Sequence, residues 1–172
     1  LGMAMAPQNA FQTLLGTETL SLRMRKHVEN AVAVASWLEA DPRVEYVTYA
    51  GLPSSPWYER ARELYPNGAG ALFTFALKGG YDACVRMVNS VGLFSHVANL
   101  GDARSLIIHS ASTTHRQLSP EQQEAAGAGP NVVRLSMLVS AYETRGAGAV
   151  EAWIRDVLAA LPSPSNARAS AD

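Results

Sequence analysis

The run Asn99-Leu100-Gly101-Asp102-Ala103-Arg104-Ser105-Leu106-Ile107-Ile108-His109 leads into Ser110-Ala111-Ser112-Thr113-Thr114-His115-Arg116-Gln117-Leu118-Ser119, and Val132-Val133-Arg134-Leu135-Ser136 follows shortly after. Two short apolar runs flank a polar loop that starts a helix. Arg134 sits inside the second apolar run, where a cation is costly unless a carboxylate or phosphate meets its planar fork. No acid lies within two residues of it, so its partner comes from elsewhere. A ligand carboxylate is one candidate, and a structural ion pair with Asp102 is the other. In a strand, Arg134 shares a face with Val132, Ser136 and Leu138, while Val133, Leu135, Met137 and Val139 form an apolar row on the opposite face.

Working outward, Ser105–Ala111, Phe94–Asn99 and Asn131–Val139 read as strands, and Ser119-Pro120-Glu121-Gln122 reads as a capped helix start. Leu20–Ala40 carries Met24, Val28, Ala31, Val32, Ala35 and Leu38 at helical spacing, with an Arg25/Glu29 pair on its wet face and Asp41-Pro42 as its stop. Pro7–Leu15 and Trp57–Tyr65 read as short helices, Val44–Tyr49 as a strand and Ala71–Leu77 as a buried strand. Tyr81–Val91 turns Ala83, Cys84, Met87, Val88 and Val91 inward, and Val150–Leu161 forms the last helix. Pro162–Asp172, small and Pro/Ser-rich, is expected to be a disordered tail. This order of elements implies an α/β two-layer sandwich with a mixed, mostly antiparallel sheet.

The 172 residues suffice for one domain with a core, and 48% hydrophobic with 17% charged residues is a globular composition. A net charge of −1 gives no electrostatic basis for binding nucleic acid. The single cysteine, Cys84, rules out an internal disulfide and a cysteine-based metal site. The four histidines have no metal spacing; His96 and His109, in apolar strands, are expected to be satisfied core residues. No apolar run approaches the ~18 residues of a membrane span. The N-terminus has no basic region ahead of an apolar core, so the expected compartment is the cytoplasm.

The quoted residues resemble the C-terminal domain of the Cys/Met-metabolism enzymes that use pyridoxal phosphate (PLP). The run Thr114-His115-Arg116-Gln117-Leu118-Ser119, with Glu121-Gln122-Gln123 and Ala125-Ala126-Gly127, is similar to the O-acetylhomoserine sulfhydrylase branch. Pro7, Asn9, Ala10 and Phe11 match the family's Pro-x-Asn-Ala-Phe pattern, and Leu22, Arg23, His27, Asn30 and Ala31 match its long helix. The resemblance covers roughly Gly2 to Ser136. It implies residues 1–20 as a linker from a large domain and 21–161 as the small C-terminal domain, with helices on one face of the sheet as in aspartate-aminotransferase-like enzymes. A chain opening on that linker is expected to be a fragment or a truncated gene product.

The resemblance also implies a function: γ-replacement of acetate on O-acetyl-L-homoserine by sulfide or a thiol, in methionine and homocysteine biosynthesis. Arg134 is then the residue that binds the substrate's α-carboxylate, with Ser105 and Leu106 beside it and Ser112 and Thr113 in the adjoining loop as further substrate-binding candidates. No catalytic, cofactor-binding or metal-binding residue is expected in this chain. The implied cofactor is PLP, bound by a large domain or homologous subunit that carries the Schiff-base lysine, and the complete enzyme is expected to be a homo-oligomer. Lys26 and Lys78, the only lysines, lack the family's lysine context. Two departures stand out: Ser110 replaces the proline usual after the histidine, and the run after Ser136 diverges from the family's Val-Gly-(Ile/Leu)-Glu. The alternatives are a non-catalytic remnant or docking module, and the corresponding domain of a cystathionine γ-synthase or methionine γ-lyase.

Overall fold

A computed structural model describes residues 4–137 and 155–161. The elements run α1 (Pro7–Glu18), α2 (Leu20–Ala40), β1 (Val44–Thr48), α3 (Tyr58–Leu64), β2 (Leu72–Leu77), α4 (Gly80–Ser90), β3 (Leu106–His109), a 3-10 turn (Ser110–Ser112), α5 (Pro120–Ala125) and β4 (Val132–Ser136). The sheet order is β1-β2-β4-β3 with every strand pair antiparallel. A single parallel bridge, Ser95 to Leu106, makes it mixed. The chain is therefore the expected two-layer α/β domain.

Strand alternation sorts the sheet into two faces. Phe73, Phe75, Leu77, Ile107, Val133, Leu135 and Met137 face α2 and α4, forming one core with Ala31, Val34, Ala35, Leu38, Ala83, Cys84 and Met87. Val157 and Leu161, from the helical residues 155–160 and just beyond, complete it. Burial pushes the Cys84 thiol up to about 12, so it packs as an inert apolar group. The opposite face carries Arg134, cross-paired with Thr74 on β2 and Ile108 on β3.

Local chemistry sets the joints. Arg43 grips Asp41 with two N–H···O contacts of 2.9 and 2.7 Å and fixes the turn from α2 into β1. Hydrogen bonding to Arg43 holds the Asp41 carboxyl below the usual carboxylate range. Ser119 and Gln122 form a reciprocal capping box at α5. Gly68, at φ +114, lies against Val28, where an added Cβ would collide with a methyl group.

Several expectations are corrected. Phe94–Asn99 is a loop, not a strand. Phe94 anchors in the core and Ser95 makes one bridge, but the Val97 N–H turns back to the Ser95 carbonyl at 2.9 Å and the pairing ends. His96, expected in an apolar strand, is exposed on that loop. On α2 the buried seam runs His27, Asn30, Ala31, Val34, Ala35 and Leu38, which places Val32 outside it. Glu29 pairs with Lys26 at 3.1 Å rather than with Arg25. β3 ends at His109 because Ser110–Ser112 coil into a 3-10 turn. The ends of the strand expected to Val139 and the helix expected from Val150, and the tail from Pro162, fall partly or wholly outside the described residues.

His109 is a satisfied core histidine, as expected. Its Nε2 lies 2.9 Å from the Pro130 carbonyl, its Nδ1 2.9 Å from Ser112 Oγ, and its ring meets Tyr81 edge-on at 4.8 Å. Burial lowers its pKa, partly offset by the Pro130 carbonyl, and burial followed by the Arg23 charge lowers that of His27. Both fold neutral and titrate nearer 6.5 when unfolded. Their stabilisation is therefore complete above about pH 6.5 and is lost as pH falls toward their folded values. Denaturant melts at pH 7.5 and 5.5 should show a lower midpoint at 5.5, and substituting both histidines by glutamine should remove most of that difference.

Candidate functional site

Arg134 projects from an interior strand into a narrow crevice. Val97, Ala98 and Asn99 form one wall, and Leu106, Ile108 and Ser136 form the other. The guanidinium is half-buried, and its one hydrogen bond among the described residues runs from Nη2 to the Asn99 carbonyl at 3.3 Å. That is long for an N–H···O bond and leaves most of its five donors open. No carboxylate of the described residues is paired with it: the five ion pairs join Lys26–Glu29, Arg43–Asp41, Arg60–Glu63, Arg62–Glu59 and Arg104–Asp102. Asp102, the internal partner considered for Arg134, instead accepts from Arg104 at 3.4 Å and from Asn99 Nδ2 at 3.2 Å. Hydrogen bonding to Arg104, then to Asn99, holds its carboxyl below the ordinary range.

The other candidates are placed unequally. Leu106 lines the crevice directly and pairs across the ladder with Ser136. Ser105 is fully buried at the head of β3, where its carbonyl accepts the Ser95 N–H at 2.9 Å. Ser112 and Thr113 lie beyond the other end of β3 and do not line the crevice. Their hydroxyls reach the His109 carbonyl at 3.2 and 2.8 Å, which closes a turn.

Two crevice residues were not anticipated. Asn99 contributes through its backbone carbonyl, which no residue-type pattern reveals. Ser136, which alternation had already placed on the Arg134 face, was not singled out as a site residue. A larger cleft, about 570 Å³, opens between α2 and α3 with Val28, Tyr58, Arg62 and Tyr65 among its lining residues. It shares no residue with the Arg134 crevice, and its Arg62 is engaged by Glu59 at 3.5 Å and by the Tyr58 ring at 5.6 Å. Size alone does not make it the site.

A two-layer domain with this strand order has the fold found in PLP-dependent enzymes. Its fold matches an assigned O-acetylhomoserine (thiol)-lyase of Campylobacter jejuni that carries N′-pyridoxyl-lysine-5′-monophosphate, with TM-score 0.81, 38% identity, and coverage of 94% of this chain and 37% of that one. It also matches cystathionine γ-synthase of Xanthomonas oryzae in complex with cystathionine, with TM-score 0.78, 35% identity, and coverage of 96% and 40%. In sequence it is 52% identical over 136 residues to O-acetyl-L-homoserine sulfhydrylase 1 of Thermus thermophilus, covering 79% of this chain and 32% of that protein. Residues 1–144 match the family model of Cys/Met metabolism PLP-dependent enzymes, and the chain belongs to that family. It spans about a third of the length of these relatives.

The residues described here do not themselves fit PLP. Lys26 is half-exposed and tied to Glu29 at 3.1 Å, and Lys78 donates to the Pro42 carbonyl at 2.6 Å. Neither lines the Arg134 crevice. Among the described residues no cluster of histidine, cysteine and acids could hold a metal, and no helix is long and apolar enough to cross a membrane. Mixing the 172-residue chain with PLP, reducing with borohydride and mapping the adducts should give only scattered, substoichiometric labelling. One lysine labelled stoichiometrically would contradict this placement.

Proposed function

We propose that this chain is the carboxylate-reading part of a PLP-dependent O-acetyl-L-homoserine sulfhydrylase, which replaces acetate at the γ carbon by sulfide or a thiol. The observation that carries the proposal is Arg134: a guanidinium held in an interior strand, open on one face, with no carboxylate of the described residues against it. An arginine so placed matches a ligand carboxylate bidentately. In this reading Arg134 binds the substrate's α-carboxylate. Leu106 lines the crevice beside it, Ser105 holds the preceding loop through its carbonyl to the Ser95 N–H, and Ser112 and Thr113 brace the loop after β3. The domain's share of catalysis is orientation, worth several kcal/mol when it fixes a near-attack geometry.

The lysine that holds the cofactor belongs, in this proposal, to a PLP-binding large domain or a homologous subunit. We assign the complete enzyme to the cytoplasm as a homo-oligomer. α1 supports a docking role: it buries none of its residues and leaves Phe11, Leu14 and Leu15 more than half exposed. The second reading is the corresponding domain of a cystathionine γ-synthase, favoured by the near-complete fold match; the higher identity to the sulfhydrylase weighs against it.

In a complete enzyme made by joining this chain to a matching large domain, Arg134→Lys should raise KM for O-acetyl-L-homoserine and lower kcat/KM. A point charge replaces a planar fork, and one charge-assisted hydrogen bond is worth about 1.5–3 kcal/mol, on the order of ten- to a hundredfold. PLP content should not change. A variant that unfolds while its folded fraction keeps the wild-type KM would make Arg134 a structural residue.

A further inference from the structure

His27 lies on the seam of α2 that turns toward the sheet, is 1% exposed, and among the described residues has no hydrogen-bond partner on either ring nitrogen. A neutral imidazole offers one donor and one acceptor, and leaving a buried polar group unmade costs about 1–3 kcal/mol. The ring borders a cavity of about 290 Å³ that also touches Met24, Leu72, Leu100, Gly101 and Ser136. Three features tie this cavity to the Arg134 crevice. Ser136 lines both. Asn99, whose carbonyl takes the one bond from Arg134 among the described residues, immediately precedes Leu100 and Gly101. Leu100, at the cavity's edge, leaves its apolar side chain 69% exposed beside an apolar hollow.

Among the described residues, the one hydrogen bond from the loop Asn99–Asp102 to a distant element is that from Arg134 Nη2 to the Asn99 carbonyl. The loop's side-chain hydrogen bonds are internal or run to Arg104: Asn99 Oδ1 accepts from the Leu100 N–H at 2.9 Å, and Asp102 accepts from Asn99 and from Arg104. Gly101, at φ +68 with nothing within 4 Å of a would-be Cβ, provides a joint with room on its open side. An inward shift would bury Leu100 in the hollow and bring the backbone of residues 100–101 toward the His27 ring. It would also carry the Asn99 carbonyl away from Arg134 and free the whole guanidinium fork.

We propose that His27 is a positioning residue for Arg134: its imidazole captures the backbone of Leu100-Gly101 when a carboxylate ligand displaces the Asn99 carbonyl, and so holds the loop closed over the ligand. The proposal rests on the carboxylate reading of Arg134 and adds the element that retains the ligand. His27 touches no ligand itself; it acts through the loop.

The test is an NMR titration of the isotopically labelled 172-residue chain with O-acetyl-L-homoserine, using its carboxyl methyl ester as control. The Arg134 Nε–H, the Leu100 and Gly101 amides and the His27 ring nitrogens should shift together along one binding curve, and the ester should shift none of them. His27→Leu should weaken binding about tenfold, the scale of one hydrogen bond, with the Arg134 signal still responding; His27→Gln should recover part of the loss. If Arg134 shifts while Leu100, Gly101 and the His27 ring stay still, and His27→Leu binds with unchanged affinity, the positioning role is overturned and the carboxylate reading survives. If Arg134 itself does not respond, or the ester shifts it equally, the carboxylate reading fails and the positioning role with it. Should His27→Leu not fold, the wild-type ring shifts and His27→Gln decide between these outcomes.

Discussion

A guanidinium planted in an interior β-strand must be answered by something. β4 lies between β2 and β3, so the Arg134 backbone is fixed on both sides, against Thr74 and Ile108. Arg134 shares a crevice with Leu106, Ile108 and Val97, and among the described residues its guanidinium meets one carbonyl, at 3.3 Å. Burying a cation halfway without a carboxylate is unfavourable for stability alone. The sheet tolerates it because the opposite face is a dry core: Phe73, Phe75, Val133 and Leu135 are each at most 1% exposed. Strand alternation thus sets the large core side chains on odd-numbered residues of β2 and β4 and places Arg134 on the opposite face.

That division explains which parts of the chain were legible. α2 was readable end to end, because its apolar spacing and the Asp41-Pro42 stop are local signals, and its observed limits are Leu20 and Ala40. The Ser119–Gln122 capping box was readable because both halves of the reciprocal bond are side-chain types at fixed spacing. β2 and β4 were readable as apolar runs. Family resemblance, more than periodicity, singled out Arg134 as a ligand-facing residue. The residue pattern alone left it balanced against an ion pair with Asp102, which the structure gives to Arg104.

The misreadings have physical causes. Phe94–Asn99 has the letters of a strand, yet its hydrophobes split between a core anchor at Phe94 and an exposed Val97, so no face alternates. His27 was not read as a buried group, because its imidazole is polar, although its spacing from Ala31, Val34 and Leu38 puts it on the same seam. Asn99 could not be found at all, since its role is carried by a backbone carbonyl that any residue would supply. Serine and threonine hydroxyls at Ser112 and Thr113 looked equally suited to ligand or turn, and within this chain they close the turn.

The central claim is that Arg134 exists to meet a carboxylate from outside the chain. A crystal structure of the chain joined to a PLP-binding domain, with an unreactive amino-acid analogue of the substrate bound, tests it directly. The account predicts two parallel N–H···O contacts of about 2.7–2.9 Å between the Arg134 guanidinium and the ligand carboxylate, with the Asn99 carbonyl no longer bonded to it. A ligand carboxylate seated elsewhere, with Arg134 paired to an aspartate or glutamate of the protein, would contradict it.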